Sequence, residues 1–150
     1  MDINLYSDGA ARGNPNGPGG YGTILQYIDA NGQLYEKEFS KGYEETTNNR
    51  MELMGVIVGL EALKKPCVVN VYSDSKYVID AFNKDWISNW QKTDFRRGKS
   101  NEVKNIDLWE RLLLATKNHR IVWNWVKGHA GHPMNERCDK LATMAADKLK

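Results

Sequence analysis

Short alternating runs dominate the start of the chain, and helical spacing dominates its second half. Ile3-Asn4-Leu5-Tyr6 alternates and is closed by Asp8-Gly9, which predicts a first strand. Ala11 to Gly20 is rich in Gly, Asn and Pro and reads as a loop. Tyr21 to Ile28 predicts a second strand, and Asn31-Gly32 is a two-residue hairpin signal that leads into a third strand, Leu34 to Phe39. Thr46 or Thr47 can cap a helix running through Arg50 to Leu63, apolar on most sides and so expected to be buried. Val68 to Tyr72 predicts a strand that stops at Ser73-Asp74. Helices are expected over Ser75 to Phe82, Trp86 to Trp90 and Val103 to Lys117, with a break at Arg97 to Asn101. Ile121 to Val126 reads as a strand with Ile121, Trp123 and Trp125 on one face, and Gly128 to Gly131 as a flexible loop. Past Pro133, the spacing of Cys138, Leu141, Ala142, Ala145 and Leu149 predicts an amphipathic terminal helix.

Hairpins first and helical crossovers later imply an α/β mixed sheet with helices packed on it. The two strands ending in Ser-Asp would then lie parallel. Asp8 and Asp74 become neighbours beyond the carboxyl ends of strands, where sites form in such sheets. At 150 residues, one domain is expected.

Composition narrows the function little. The net charge is +2, but Lys84 to Lys104 gathers a local excess of cations: Lys84, Lys92, Arg96, Arg97, Lys99 and Lys104. Trp86, Trp90 and Phe95 are interleaved with them, a pattern suited to nucleic acid, although the tryptophans could equally be core. Cys67 and Cys138, far apart, make no disulfide framework and read as core residues of a reducing compartment. Nothing resembles a signal peptide or a membrane span, so a soluble cytoplasmic protein, simplest as a monomer, is expected.

The chemistry lies in four acidic residues in four separate motifs: Asp8 in Ser7-Asp8-Gly9, Glu52 in Asn48-Asn49-Arg50-Met51-Glu52, Asp74 in Ser73-Asp74-Ser75, and Asp139 in Asn135-Glu136-Arg137-Cys138-Asp139. Each has an ordinary reading. Asp8-Gly9 can be a turn, Asp74 can cap the helix behind it, and Glu52 and Asp139 can favour helix N-termini. Together, converging carboxylates would repel one another unless divalent metal neutralised them. Oxygen-only ligands suit Mg²⁺ or Mn²⁺ rather than Zn²⁺, and paired ions of that kind cut phosphodiesters.

Two competing motifs fall away. Gly98-Lys99-Ser100 has a phosphate-loop ending, but Thr93 stands where that loop needs Gly. His129, His132 and Cys138 lack a fourth zinc ligand. His129, between Gly128 and Ala130-Gly131, reads instead as a mobile proton-handling group.

The motifs in order resemble those of type 1 ribonuclease H, close to the bacterial ribonuclease HI. The matching segments are Ser7-Asp8-Gly9, Gly13-Asn14-Pro15, Gly19-Gly20-Tyr21-Gly22, Thr46 to Leu53, Ser73-Asp74-Ser75, Val103 to Trp109, Trp125 to His132, and Asn135 to Asp139. The resemblance implies a five-stranded mixed sheet, strands 1 to 3 antiparallel and 4 and 5 parallel to strand 1. It implies endonucleolytic cleavage of the RNA strand of RNA–DNA hybrids by two metal ions, leaving 5′-phosphate and 3′-hydroxyl ends. By position it makes Asp8, Glu52, Asp74 and Asp139 the metal ligands of two Mg²⁺ ions, with Mn²⁺ a substitute, and His129 the residue assisting proton transfer or product release. It places Asn14, Asn48, Asn49 and Asn105 against the hybrid, and makes the segment around Trp86 to Lys104, with Arg96, Arg97 and Lys99, the basic protrusion. Two features depart from the family pattern. The protrusion is less basic, and Lys76 stands where Gln is expected beside Asp74. A silent hybrid-binding module, and another nuclease or integrase of the superfamily, are the alternatives.

Overall fold

In the computed structural model, residues 2–12, 17–92, 96–97, 101–102, 104–128 and 131–148 are described, 96–97 and 101–102 by their backbone alone. The chain runs β1 (Asp2–Ala11), β2 (Gly17–Ile28), β3 (Leu34–Thr46), α1 (Asn48–Glu61), β4 (Val68–Ser73), α2 (Lys76–Asn83), α3 (Trp86–Lys92), β5 (Arg96–Arg97), β6 (Asn101–Glu102), α4 (Ile106–Thr116), β7 (Arg120–Trp125) and α5 (Pro133–Asp147). The main sheet has the order β3-β2-β1-β4-β7. β1, β2 and β3 pair antiparallel, whereas β1–β4 and β4–β7 are parallel. This is the expected mixed sheet. On either side of the expected break, the backbones of Arg96 and Arg97 pair antiparallel with those of Glu102 and Asn101, respectively.

The first three strands are longer than their alternation predicts, because pairing overrides turn chemistry. β1 passes through Asp8-Gly9 without stopping, as its backbone pairs with β2 as far as Ala11 opposite Gly19. The partners Gly19 and Gly20, and the start of β2 at Gly17 and Pro18, belong to the stretch expected to be loop. The β2–β3 connection is also corrected. It spans Asp29 to Gln33 rather than two residues, because the Asp29 carboxylate accepts the backbone N–H groups of Asn31 and Gln33, both at 2.9 Å. Gly32 takes the left-handed conformation there, with φ +80°.

Helices cover both faces of the sheet. Alternation along β2 sends Tyr21, Thr23 and Leu25 to one face and Gly20, Gly22 and Ile24 to the other. On the first face lies α1, whose Gly55 carbonyl accepts the Thr23 hydroxyl at 2.6 Å. Its buried Leu53, Val56, Ile57 and Leu60 pack in the core with Ile3, Leu5, Val69 and Val71, each such side chain worth roughly 1.5–3 kcal/mol when taken from water. Trp109 of α4 is fully buried, and the rings of Tyr77, Phe82 and Trp90 lie against it at 5.3, 6.2 and 5.1 Å. Trp90 is thus a packing residue, while Trp86 keeps an exposed face. On the second face, α5 reaches β2 where the strand has no side chains. A Cβ on Gly22 would collide with the Cys138 carbonyl and stand 2.6 Å from Leu141 Cβ, and one on Gly20 would stand 2.7 Å from the Ala142 carbonyl. Cys138, Ala142 and Ala146 are buried in that contact, and both cysteines are free and buried, as expected.

Because α5 carries Asp139, this close approach also sets the reach of one acidic side chain. Gly22→Ala should lower unfolding free energy by about 1–3 kcal/mol, as overpacking does. Urea denaturation measures it, and an unchanged midpoint would show that α5 can shift at no cost.

Candidate active site

The sheet delivers its acidic residues to one end. Tyr6 pairs with Tyr72 in the parallel β1–β4 register, so Asp8 and Asp74 lie equally far beyond that pair. Even-numbered β1 positions face α5 and odd ones face α1. Gly9 therefore meets α1, and a Cβ there would lie 2.6 Å from the Glu52 backbone nitrogen. With no side chain in the way, the Gly9 N–H donates to Glu52 Oε1, and to Asp8 Oδ1 at 2.9 Å. Asp74 follows the last residue of β4. The Trp125 Nε1–H donates to its carbonyl at 3.0 Å, and its carboxylate lies against Gly128.

The ordinary readings of these residues do not hold. Ser75, not Asp74, caps α2 by accepting the Val78 N–H at 3.3 Å. Thr47 caps α1, and the first turn of that helix contains no acidic residue, so Glu52 sits too deep to serve the helix dipole. On α5 the first-turn acid is Glu136, and Asp139 lies a turn further in. His132 caps α5 through Nδ1, which accepts the Asn135 N–H at 3.2 Å, and it is thereby removed from any zinc site.

Ligand oxygens of Asp8, Glu52 and Asp74 lie within 4.8 Å of one another. Asp8 and Glu52 are only 6% and 4% exposed. Two unit charges at 4.8 Å repel by about 3.5 kcal/mol at an effective dielectric near 20. Among the described residues, no side-chain cation forms an ion pair with any of the four carboxylates. Burial, then Glu52 and Asp74, hold the Asp8 carboxyl far above the ordinary carboxylate range. Burial, then Asp74, raise Glu52 as well. An all-oxygen donor set that protein cations leave uncompensated fits a hard divalent ion.

These three residues line a cleft of about 400 Å³ together with Asp139, Asn48 and Asn49, and Asp139 is close enough to add to the raising of Asp8. Six of the site residues expected from sequence are thus brought together. Ser75, Lys76 and Tyr77 also line the cleft, and Tyr77 was not foreseen. Its hydroxyl receives the Asn105 Nδ2–H at 3.0 Å and the Trp109 Nε1–H at 3.1 Å. Arg50 donates to Asn105 Oδ1 at 3.2 Å and grips Asp107 through two hydrogen bonds. Asn105 is therefore held beside the cleft in a left-handed conformation, φ 62°. The only sequence signal for this network was Asn105 itself. Asn14, Lys99 and His129 lie outside the described residues, and of Arg96 and Arg97 only the backbone is described. Trp86 does not line the cleft.

A model of the RNase H family matches residues 1–147. The chain belongs to the ribonuclease H family. Ribonuclease H of Lachnoclostridium phytofermentans is 63% identical over 147 residues, 98% of this chain and 93% of that protein. Among solved structures, LC9-RNase H1, a type 1 RNase H with the type 2 active-site motif, is similar with a TM-score of 0.89 and 31% identity, covering 99% of this chain and 74% of that one. LC11-RNase H1 in complex with an RNA/DNA hybrid is similar with a TM-score of 0.69 and 26% identity, over 97% of both chains. The ribonuclease H family comprises endonucleases that hydrolyse RNA in RNA–DNA hybrids with divalent metal, and the acidic cluster is a candidate site for that metal.

Raised carboxyl groups make stability fall with pH. Asp8 and Glu52 bind protons in the folded chain that the unfolded chain has already lost above its ordinary carboxylate range. In EDTA, this contribution is complete at acid pH and is lost as pH rises towards the raised values. Asp8→Asn should therefore raise the melting temperature in EDTA at neutral pH, by at least about 1 kcal/mol of stability, one pKa unit being worth about 1.4 kcal/mol. A lower melting temperature would mean that the carboxylates do not repel.

Proposed function

We propose that this chain, as one catalytic domain, cleaves the RNA strand of RNA–DNA hybrids at the cleft formed by Asp8, Glu52, Asp74 and Asp139. The four carboxylates would hold two Mg²⁺ ions, with Mn²⁺ able to replace them. Metal held by these residues would supply an acidified water as nucleophile and charge stabilisation for the leaving 3′-oxygen, giving 5′-phosphate and 3′-hydroxyl products. The convergence of buried, uncompensated carboxylates on the cleft carries the reading.

The chain's own groups supply position and selectivity. Asn48 and Asn49 are exposed on the first turn of α1 and line the cleft. Their amides are suited to the 2′-hydroxyls of the cleaved strand, the handle that DNA lacks. The Gly13–Asn14 backbone is assigned the same task. Asn105, fixed by Arg50 and Tyr77, would grip a phosphate of the DNA strand, as would Trp86 and the basic segment with Arg96, Arg97 and Lys99. Sugar and phosphate contacts carry no base information, so little sequence preference follows. His129 would move a proton at the reacting phosphate or assist product release. The protein would act as a monomer.

End-labelled hybrid, incubated with and without Mg²⁺, tests the reading. Cuts confined to the RNA strand, dependent on metal and lost in Asp74→Asn, are expected. Full activity of that variant, or tight binding without cuts in either Mg²⁺ or Mn²⁺, would overturn it.

A further inference from the structure

Among the described residues, Lys76 is the one cation that lines the cleft. Three observations separate it from ordinary surface lysine. It is the first residue of α2, where a positive charge opposes the helix dipole, so local stability does not account for it. Although Asp74 is two residues away and Asp8 and Glu52 share the cleft, it forms no ion pair with any of them. Its ammonium lies instead over the Trp125 ring, 4.8 Å from the centroid. Trp125 is anchored in turn by its Nε1–H on the Asp74 carbonyl at 3.0 Å. The ring thus holds a cation at the rim of an acidic cleft without neutralising it, and a ring face leaves part of the ammonium free for an anion.

We propose that Lys76 binds a phosphate of the cleaved strand next to the scissile one, with Trp125 as the residue that positions it. This rests on the hybrid-cleaving reading above. An anionic strand drawn to a pocket of carboxylates meets repulsion on both sides of the reacting phosphate. A fixed ammonium at the rim offsets that repulsion for the neighbouring phosphate. Lysine acts there as a point charge rather than a geometric fork. The contact is sequence-independent and sensitive to salt.

Lys76→Gln, Lys76→Arg and Trp125→Leu test the assignment, alone and with Trp125→Leu combined with Lys76→Gln. Hybrid affinity is read by fluorescence anisotropy in EDTA, and kcat/KM in Mg²⁺, both over a range of salt. Lys76→Gln should weaken binding several-fold near 0.1 M salt. It should flatten the slope of log affinity against log salt by roughly 0.7–0.9, the loss expected for one phosphate contact. Lys76→Arg should keep the slope. Trp125→Leu should weaken binding in the wild-type background and much less beside Lys76→Gln. An unchanged salt slope in Lys76→Gln would overturn the proposal. So would a variant that only needs less Mg²⁺, since Lys76 would then be a counter-ion of the carboxylates. A wild-type protein that binds hybrid without cutting it would defeat the proposed function instead, and the slope comparison in EDTA would still decide the role of Lys76.

Discussion

Repulsion among Asp8, Glu52 and Asp74 is the constraint around which this structure is organised. Their oxygens lie within 4.8 Å in a site where Asp8 and Glu52 are almost fully buried. Among the described residues no side-chain cation pairs with them, so the rest of the fold must hold them together. The sheet does this from three directions. β1 presents Asp8, β4 leads directly into Asp74, and α1 brings Glu52 through the gap that Gly9 leaves open. Glycines on β2 let α5 approach closely enough for Asp139 to join from the opposite face. Stability lost at this end is recovered elsewhere, in the apolar α1 and the aromatic packing around Trp109.

The hydrogen bonds around the cleft serve the same end. Ser75 takes over the capping of α2 and leaves the Asp74 carboxylate free. Trp125 fixes the Asp74 backbone, and the Gly9 N–H steadies two carboxylates at once. Such support would keep these candidate ligands in place before a metal ion binds, so that little reorganisation would be needed.

Much of this was legible in the chain because the informative residues are local. The Ser-Asp endings of two strands, a cap at Thr46 or Thr47 and the 3–4 spacing of the last helix predicted a mixed sheet covered by helices. Four motifs supplied the cleft's acids, and the number and directions of the five strands came from the family resemblance. Where reading failed, the deciding partner was distant. Asp8-Gly9 has turn chemistry, but pairing with Gly19 to Gly22 keeps it in a strand. Trp90 looked like a nucleic-acid surface until Trp109, far along the chain, claimed its ring. Tyr77 carries no motif at all. It matters because Asn105 and Trp109 both donate to its hydroxyl. Lys76 was visible as a departure from a family pattern, yet its Trp125 partner comes from the far end of β7.

If the carboxylates are held together at the cost of their ionisation, metal must displace protons to bind. Titration calorimetry of Mg²⁺ into the protein, in buffers of different ionisation enthalpy, measures that release directly. Protons should be released near neutral pH, in numbers that fall as pH rises. Heats that are the same in every buffer would show that Asp8 and Glu52 are already ionised, and would contradict it.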